Sequence, residues 1–257
     1  MKITVLGCSA VELSNARLSS FLIGDNLLLD AGTIGTALDE RQQEKIKYIL
    51  LSHAHFDHFK DLLFFADDLG FNNKKRHVKV ISIPEVIRAL KNNVFNNVIW
   101  PDFTELPSAE DPVIRLESIY ADKTFNVDGY QVTAYEVNHT VPAVAYLIGD
   151  KKGKKLLYMG DTGPNEKIWD SINGSGTQID GAIMEVSLPN SYKDRALLTG
   201  HLTPELLKIE LDKMKKHPNT IYITHARPSC KERVQDELLN LKINNIKILK
   251  DGEVHEI

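Results

Sequence analysis

Apolar residues come in short runs separated by Gly, Asp, Asn and Pro, which predicts many short strands. "KITVLG" (2–7), "SFLIG" (20–24) and "NLLLD" (26–30) read as strands, with a Gly24-Asp25 turn joining the last two. A polar-faced helix over "TALDERQQEK" (36–45) precedes the buried strand "KYILL" (47–51). The amphipathic stretch "KDLLFFADDLG" (60–70) predicts a helix with Gly70 as its C-cap. "VKVISI" (78–83) is the next strand, and "PEVIRALKNNVF" (84–95) a helix with Pro84 in its first turn. The middle of the chain is β-rich: "VIRLESI" (113–119), "KTFNV" (123–127), "YQVTAYEV" (130–137) and "AVAYLIG" (143–149). Asp128-Gly129 marks a hairpin there.

Beyond residue 150 the pattern changes to alternation of strand and helix. "KKLLYMG" (154–160), "GAIMEV" (181–186), "TIYIT" (220–224) and a closing "IKILK" (246–250) are strands. Between them fall a short helix near 165–172, the helix "TPELLKIELDKMKK" (203–216) capped by Thr203 with Pro204 first, and "CKERVQDELLNL" (230–241). Strands first, then hairpins, then alternating β and α fit two sheets packed face to face with helices outside. There is no repeat, low-complexity tract or linker, so residues 1–257 are expected to form a single α/β domain.

Polar groups recur where strands end. "LSHAHFDHF" (51–59) follows the apolar "IKYIL" and puts His53, His55, Asp57 and His58 within six positions. His139 follows "TAYEVN", Asp161 follows "KLLYMG", and His225 follows "TIYIT". Taken singly, His139 or His225 is an ordinary polar histidine. The cluster at 53–58 is different, because alternation in an extended segment puts His53, His55 and Asp57 on one side with His58 adjacent. Seven imidazole and carboxylate groups suffice for two metal ions with an open position each, and they suit zinc, manganese or iron.

Composition narrows the remaining choices. A chain of 257 residues is long enough to bury most of its extended-state surface, so it needs neither disulfides nor a partner to hold a core. Cys8 and Cys230 cannot build a disulfide framework and suit a reducing compartment. "VLGC" (5–8) resembles a lipid-attachment box, but too few residues precede it for a signal segment. No run approaches the ~20 apolar residues of a membrane span, so the expectation is a cytoplasmic protein without a membrane partner. The net charge of −4 lacks the basic surface of a nucleic-acid binder; "KKGKK" (151–155) reads as a solvated hairpin tip.

"HAHFDH" (53–58) resembles the H-x-H-x-D-H signature of the metallo-β-lactamase superfamily. "VNHTVPAVAYLI", "LLYMGDTGPNEKIW", "IMEVSLPN", "TGHLTPELLKIELDKM" and "IYITHARP" together resemble the class II 3′,5′-cyclic nucleotide phosphodiesterases, and "NVFNNVIWPDF" (93–103) shares their character. The resemblance covers roughly residues 1–250. It implies an αββα sandwich with two divalent metal ions at one edge, zinc first, with manganese or iron as alternatives. By the same resemblance His53, His55 and His139 hold one ion, Asp57, His58 and His225 the other, and Asp161 bridges them. His201, in "GHLTP", is implied to touch the scissile phosphate, so Asp57 and His201 are the expected catalytic residues. Many members carry lysine where this chain has Arg227; arginine there can clamp a phosphate oxygen or form a surface ion pair.

The implied reaction is hydrolysis of a 3′,5′-cyclic nucleotide, such as cAMP, to a 5′-mononucleotide by a hydroxide shared between two ions ~3.5–4 Å apart. His201 would protonate the leaving oxygen or hydrogen-bond the phosphoryl group. Glu185 would orient a ligand imidazole, while Trp100 and Phe103 could either stack on a base or pack. A ribonuclease Z-like endonuclease shares most of these ligands. Against it stand the acidic net charge and the lack of a Gly/Pro/Lys-rich arm. Other small phosphodiesters, and a non-catalytic nucleotide-binding protein, are further alternatives. Homodimerisation is an expectation from the family alone.

Overall fold

The computed structural model describes residues 1–71 and 76–257. Two seven-stranded mixed sheets face each other. The first runs in the order β14 (Val254–Glu256), β1 (Lys2–Gly7), β2 (Ser20–Ile23), β3 (Leu27–Leu29), β4 (Tyr48–Leu50), β5 (Val78–Ser82), β6 (Ile114–Ser118). Its β14-to-β3 half is antiparallel and its β3-to-β6 half parallel. The second sheet repeats the plan: β7 (Thr124–Val127), β8 (Tyr130–Glu136), β9 (Val144–Gly149) and β10 (Lys155–Tyr158) are antiparallel neighbours. From β10 onward, β11 (Gly181–Glu185), β12 (Thr220–Thr224) and β13 (Ile246–Ile248) are parallel. The Asp128-Gly129 hairpin has both central residues at positive φ, +46° and +90°. A tight two-residue turn requires that combination.

Strand alternation divides the second sheet between two cores. Val144, Tyr146 and Ile148 of β9, with Leu156 and Tyr158 of β10, point inward and join Phe21, Leu28 and Ile49 of the first sheet. Ala145, Leu147, Leu157 and Met159 point outward into a second cluster beneath the helices. There they meet Trp169 of α4 (Lys167–Ser175), Leu206 and Leu207 of α6 (Pro204–Asp212), and Val234 and Leu238 of α7 (Lys231–Asn240). On the far face of the first sheet, α2 (Phe56–Phe71) buries Leu62, Phe65, Ala66 and Leu69, and α3 (Pro84–Asn93) buries Val86 and Leu90. The result is the expected αββα sandwich.

Several local expectations shift. The first helix shrinks to α1 (Glu40–Gln43), where Asp39 and Gln42 form a reciprocal capping box. The helix expected over 60–70 begins at Phe56, so Asp57 and His58 sit in its first turn and not on an extended segment. Gly70 lies within that helix and is not a left-handed cap. It is needed for contact, because a Cβ there would fall 2.8 Å from Cε1 of Phe103. Two elements were not anticipated: β14, which closes the first sheet, and α5 (Lys193–Thr199). Both are short, and α5 has no continuous apolar stripe; only Ala196 is buried.

The start of α2 is seated on the loop after β3. Ala31 N donates to His58 O, Asp61 N donates to Ala31 O, and the Asp61 carboxylate accepts from Ile34 N and Gly35 N. Gly32 lies so close beneath this turn that a Cβ would stand 2.1 Å from the Asp57 carbonyl oxygen and 2.8 Å from that of Ser19. Both obstacles are backbone, so neither can rotate away. Gly32→Ala is therefore expected to destabilise the protein by about 1–3 kcal/mol, by displacing the first turn of α2. Urea denaturation checks this, and an unchanged midpoint would mean that the turn is not fixed by that contact.

Candidate metal centre

The seven expected ligands come together at one edge of the sandwich, where strands of both sheets end. His53 and His55 follow β4, Asp57 and His58 open α2, and His139 follows β8. Asp161 and His225 follow β10 and β12. His53, His55 and His139 offer nitrogens that all lie within 4.8 Å of one another; so do the donor atoms of Asp57, His58, Asp161 and His225. Asp161 Oδ2 stands 3.2 Å from His58 Nε2, 3.3 Å from His225 Nε2 and 3.8 Å from His53 Nε2, so it faces both groups.

The hydrogen bonds behind the imidazoles determine which nitrogen faces inward. Ser52 Oγ lies 2.7 Å from Asp30 Oδ2 and 2.9 Å from His53 Nδ1. A hydroxyl has one proton to donate, and the carboxylate can only accept, so the second contact must use the Nδ1–H of His53. His53 Nε2 then bears a lone pair, and this buried atom has no hydrogen-bond partner. On the other sheet Ser187 Oγ donates to Glu185 Oε2 at 2.8 Å and accepts from His225 Nδ1 at 2.9 Å. His225 Nε2 is thereby turned toward Asp57 and Asp161. His139 Nδ1 donates to the Gly200 carbonyl at 2.9 Å, leaving its Nε2 as an acceptor 3.1 Å from His55 Nδ1. Convergent lone pairs, one of them orphaned in the interior, together with two carboxylates are what a divalent cation needs. The donor set fits two such ions.

Electrostatics lead to the same conclusion. Burial opposes charge on His58, yet Asp161 and Asp30 together hold its pKa well above the ordinary histidine value. Burial also raises the Asp161 pKa, but His225, His58 and His53 outweigh it and keep the carboxyl well below the usual range. His53, by contrast, is driven well below the ordinary value by burial and by the neighbouring His58. His58 is thus drawn toward its protonated form between two carboxylates, Asp30 at 2.6 Å and Asp161 at 3.2 Å, which a cation would also satisfy.

Around this centre lies a cavity of about 300 Å³, whose lining includes His55, Asp57, Asp161, His201, His225 and Arg227. His201 lies outside the two ligand groups but forms a third with Glu185 and His225, whose donor atoms also fall within 4.8 Å of one another; its Nδ1 donates to Glu185 Oε1 at 2.7 Å. Burial lowers its pKa, but the Glu185 carboxylate more than compensates and raises it to about 9. Glu185 is fully buried and holds His201 directly and His225 through Ser187, which is the orienting role expected of it. Arg227 is exposed at the rim. Trp100 and Phe103 are packing residues: Trp100 Nε1 donates to Leu63 O with its ring edge-on to Phe64, and Phe103 covers Gly70. Cys8 lies outside the cavity, and burial with Asp251 alongside pushes its thiol pKa far up, so it is unreactive.

Sequence reasoning missed Asp30. Its fully buried carboxylate accepts from Ser52 N, Ser52 Oγ, His58 Nδ1 and Tyr158 Oη, and its backbone stands at φ +56°. The signal was present, since "NLLLD" also places a carboxylate at the end of an apolar strand. Asn165 was missed as well. Its side chain accepts from Asn138 N and donates to Thr162 Oγ1, tying the loop of His139 to that of Asp161.

Fold and site together define a hydrolase of the metallo-β-lactamase type. The chain belongs to the β-lactamase superfamily, whose domain matches residues 25–225. It is 27% identical to a probable 3′,5′-cyclic-nucleotide phosphodiesterase of Yersinia pestis over 74% of this chain and 60% of that protein. It is also 27% identical to the 3′,5′-cyclic-nucleotide phosphodiesterase of Aliivibrio fischeri, over 82% and 62%. The chain thus spans about three fifths of the length of these two relatives. Identity is again 27% with the ribonuclease Z of Borrelia garinii subsp. bavariensis, over 98% of this chain and 84% of that one. The crystal structure of unliganded yeast PDE1 shares the fold with a TM-score of 0.83 at 17% identity, covering 98% of both chains. No helix among the described residues is long and apolar enough to cross a membrane.

Two outcomes follow from this geometry. Asp30→Asn sets an amide N–H against donors that now share one carboxylate oxygen. It should weaken zinc binding about 10–100-fold, read by competition with a chromogenic chelator. Unchanged affinity would deny Asp30 its orienting role. Because the carboxylates favour the protonated form of His58 and a ligand must be neutral, zinc binding near neutral pH should release protons. The expected sign is weaker binding as pH falls. Calorimetry in buffers of differing ionisation enthalpy measures the release, and none would contradict the protonated state.

Proposed function

We propose that the chain hydrolyses 3′,5′-cyclic nucleotides to 5′-mononucleotides. The observation that carries this reading is His201, an imidazole held by the buried Glu185 carboxylate at the edge of the same cavity as the ligand cluster, yet outside the two groups built on His53 and Asp161. A cavity of about 300 Å³ also falls at the small-molecule end of ligand sites. His53, His55 and His139 would hold one divalent ion, Asp57, His58 and His225 a second, with Asp161 between them. Bound there, the ions would supply a water of lowered pKa and neutralise charge on the phosphoryl oxygens. Zinc is the proposed metal, with manganese or iron as alternatives.

The side chains provide the remainder of the chemistry. Asp57, whose carboxylate is 30% exposed and faces the cavity, accepts a hydrogen bond from the attacking water and orients it toward phosphorus. The P–O3′ bond breaks as the new P–O bond forms, and His201 gives its proton to the departing 3′-oxygen. Glu185 keeps that proton available and fixes the ring through Nδ1, leaving Nε2 for the substrate. Arg227 stands at the rim as a forked cation available to substrate phosphate.

A second reading, an RNA endonuclease of the ribonuclease Z kind, is favoured by the match to the Borrelia protein over nearly the whole of this chain. The net charge of −4 weighs against a polyanionic substrate. Incubating metal-replete protein with 3′,5′-cyclic nucleotides of all four bases, and separately with a precursor tRNA, discriminates the two by product chromatography. Metal-dependent 5′-mononucleotides are expected; cleavage of the RNA alone would replace the first reading with the second.

His201→Ala is expected to keep both metals, by elemental analysis, while turnover falls about 10²–10⁴-fold. Asp161→Ala should lose metal and activity together. Metal loss in the first variant, or two retained ions in the second, would reverse these roles.

A further inference from the structure

Two arginines share the cavity of the metal centre. Arg227 follows His225 by two positions, and Arg195 projects from α5. Both are exposed, and among the described residues neither guanidinium has a carboxylate within ion-pair distance or a side-chain hydrogen bond. Neighbouring basic groups are engaged: Lys193 faces Glu205 at 3.7 Å, and Arg233 donates to Ser191. Thr199, the last residue of α5, lines the same cavity, with its hydroxyl donating to the Arg195 carbonyl.

Charge counting gives these arginines a purpose. Two divalent ions and His201 against the carboxylates of Asp30, Asp57, Asp161 and Glu185 leave one positive charge at the centre, which the single negative charge of a cyclic mononucleotide balances. Its phosphate would meet the ions, and His201 the departing 3′-oxygen. Arg195 and Arg227 are permanently charged, and their forked donors match a phosphate. The cavity therefore offers more cationic capacity than a cyclic mononucleotide uses.

We infer that Arg195 and Arg227 form a subsite for a second phosphate, a monoester group outside the scissile diester, so that the preferred substrates are nucleotide phosphodiesters bearing an additional terminal phosphate. The inference rests on the phosphodiesterase reading of the centre and deepens it: the cyclic mononucleotide is the smallest member of the class, and the phosphorylated diester is the member that meets every cation. Arg195 is a specificity residue under this assignment, because it acts on binding and not on the bonds that change.

Binding tests it without turnover. Metal-replete protein is titrated calorimetrically with thymidine 5′-monophosphate and thymidine 3′,5′-bisphosphate. The bisphosphate should bind about tenfold more tightly. Arg195→Gln and Arg227→Gln should each reduce that ratio about threefold or more, with an unchanged thermal midpoint, while Arg233→Gln leaves it alone. Equal affinities, failure of both ligands to bind, or a preference that survives the double variant would overturn the subsite. A kinetic arm uses the p-nitrophenyl esters of thymidine 5′-phosphate with and without a 3′-phosphate, which share the scissile bond and leaving group. The 3′-phosphorylated ester should have the lower KM at similar kcat, and Arg195→Gln should remove that difference. Turnover of both esters without preference would sink the subsite and spare the phosphodiesterase reading. A bisphosphate preference in binding, with no ester or cyclic nucleotide hydrolysed, would do the reverse.

Discussion

Two buried carboxylates, Asp30 and Glu185, organise the molecule. Each has no solvent exposure, each stands at the end of a strand in a different sheet, and each holds one histidine directly and another through a serine. Asp30 takes His58 and, through Ser52, His53; Glu185 takes His201 and, through Ser187, His225. A buried carboxylate is costly unless its oxygens are satisfied, and here the imidazoles complete donor sets that Ser52 and Tyr158 begin on Asp30, and Ser187, Thr162 and Leu202 on Glu185. Asp30 also accepts from Tyr158, which belongs to the opposite sheet, so the same carboxylate that aims His58 ties the two halves of the sandwich. Ligand orientation and sheet packing are one constraint.

That constraint explains the backbone. Asp30 and His225 both stand in the left-handed region, at φ +56° and +66°. Few residues other than glycine settle there, and such conformations persist only where surrounding bonds over-determine them. Asp30 N donates to Leu50 O and His225 N to Cys8 O, while their side chains are locked as described. The turn at each strand end is thereby bent toward the seam between the sheets. The equivalent plan of the two sheets, antiparallel on one side and parallel on the other, brings the strand ends of both halves to the same edge.

Much of this was legible in the chain. The predictions on Gly32 and Asp30, however, concern features that pattern reading passed over. Alternation and turn signals locate most strands because each has a dry face, and the polar residue after each apolar run marks its functional end. Asp57 and His58 were placed on an extended segment because "HAHFDH" alternates; the helix wins because its first turn is anchored by Ala31 and Asp61 to a loop distant in sequence. Asp30 escaped notice because a single acid after "LLL" looks like a solvated strand end, and only the fold brings Ser52, His58 and Tyr158 onto it. β14 and α5 were missed because three residues, or one buried alanine, carry too little pattern to register.

The same division bears on what the site can say about its substrate. Everything that orients the metal-facing atoms lies in the interior, held by the strand ends of both sheets, and it shares its design with any protein that has this sandwich and this donor set. The groups that would meet a substrate beyond the reacting phosphate, Arg195, Thr199 and Arg227, come from a short helix and a loop that bury little. They can change without disturbing either carboxylate. Likeness in the interior therefore speaks to the class, a hydrolase of the metallo-β-lactamase type, and the rim would speak to the choice of substrate. Relatives of equal identity bear the names of a cyclic-nucleotide phosphodiesterase and of ribonuclease Z. Identity averaged over hundreds of positions gives little weight to the few exposed cations that a substrate would meet.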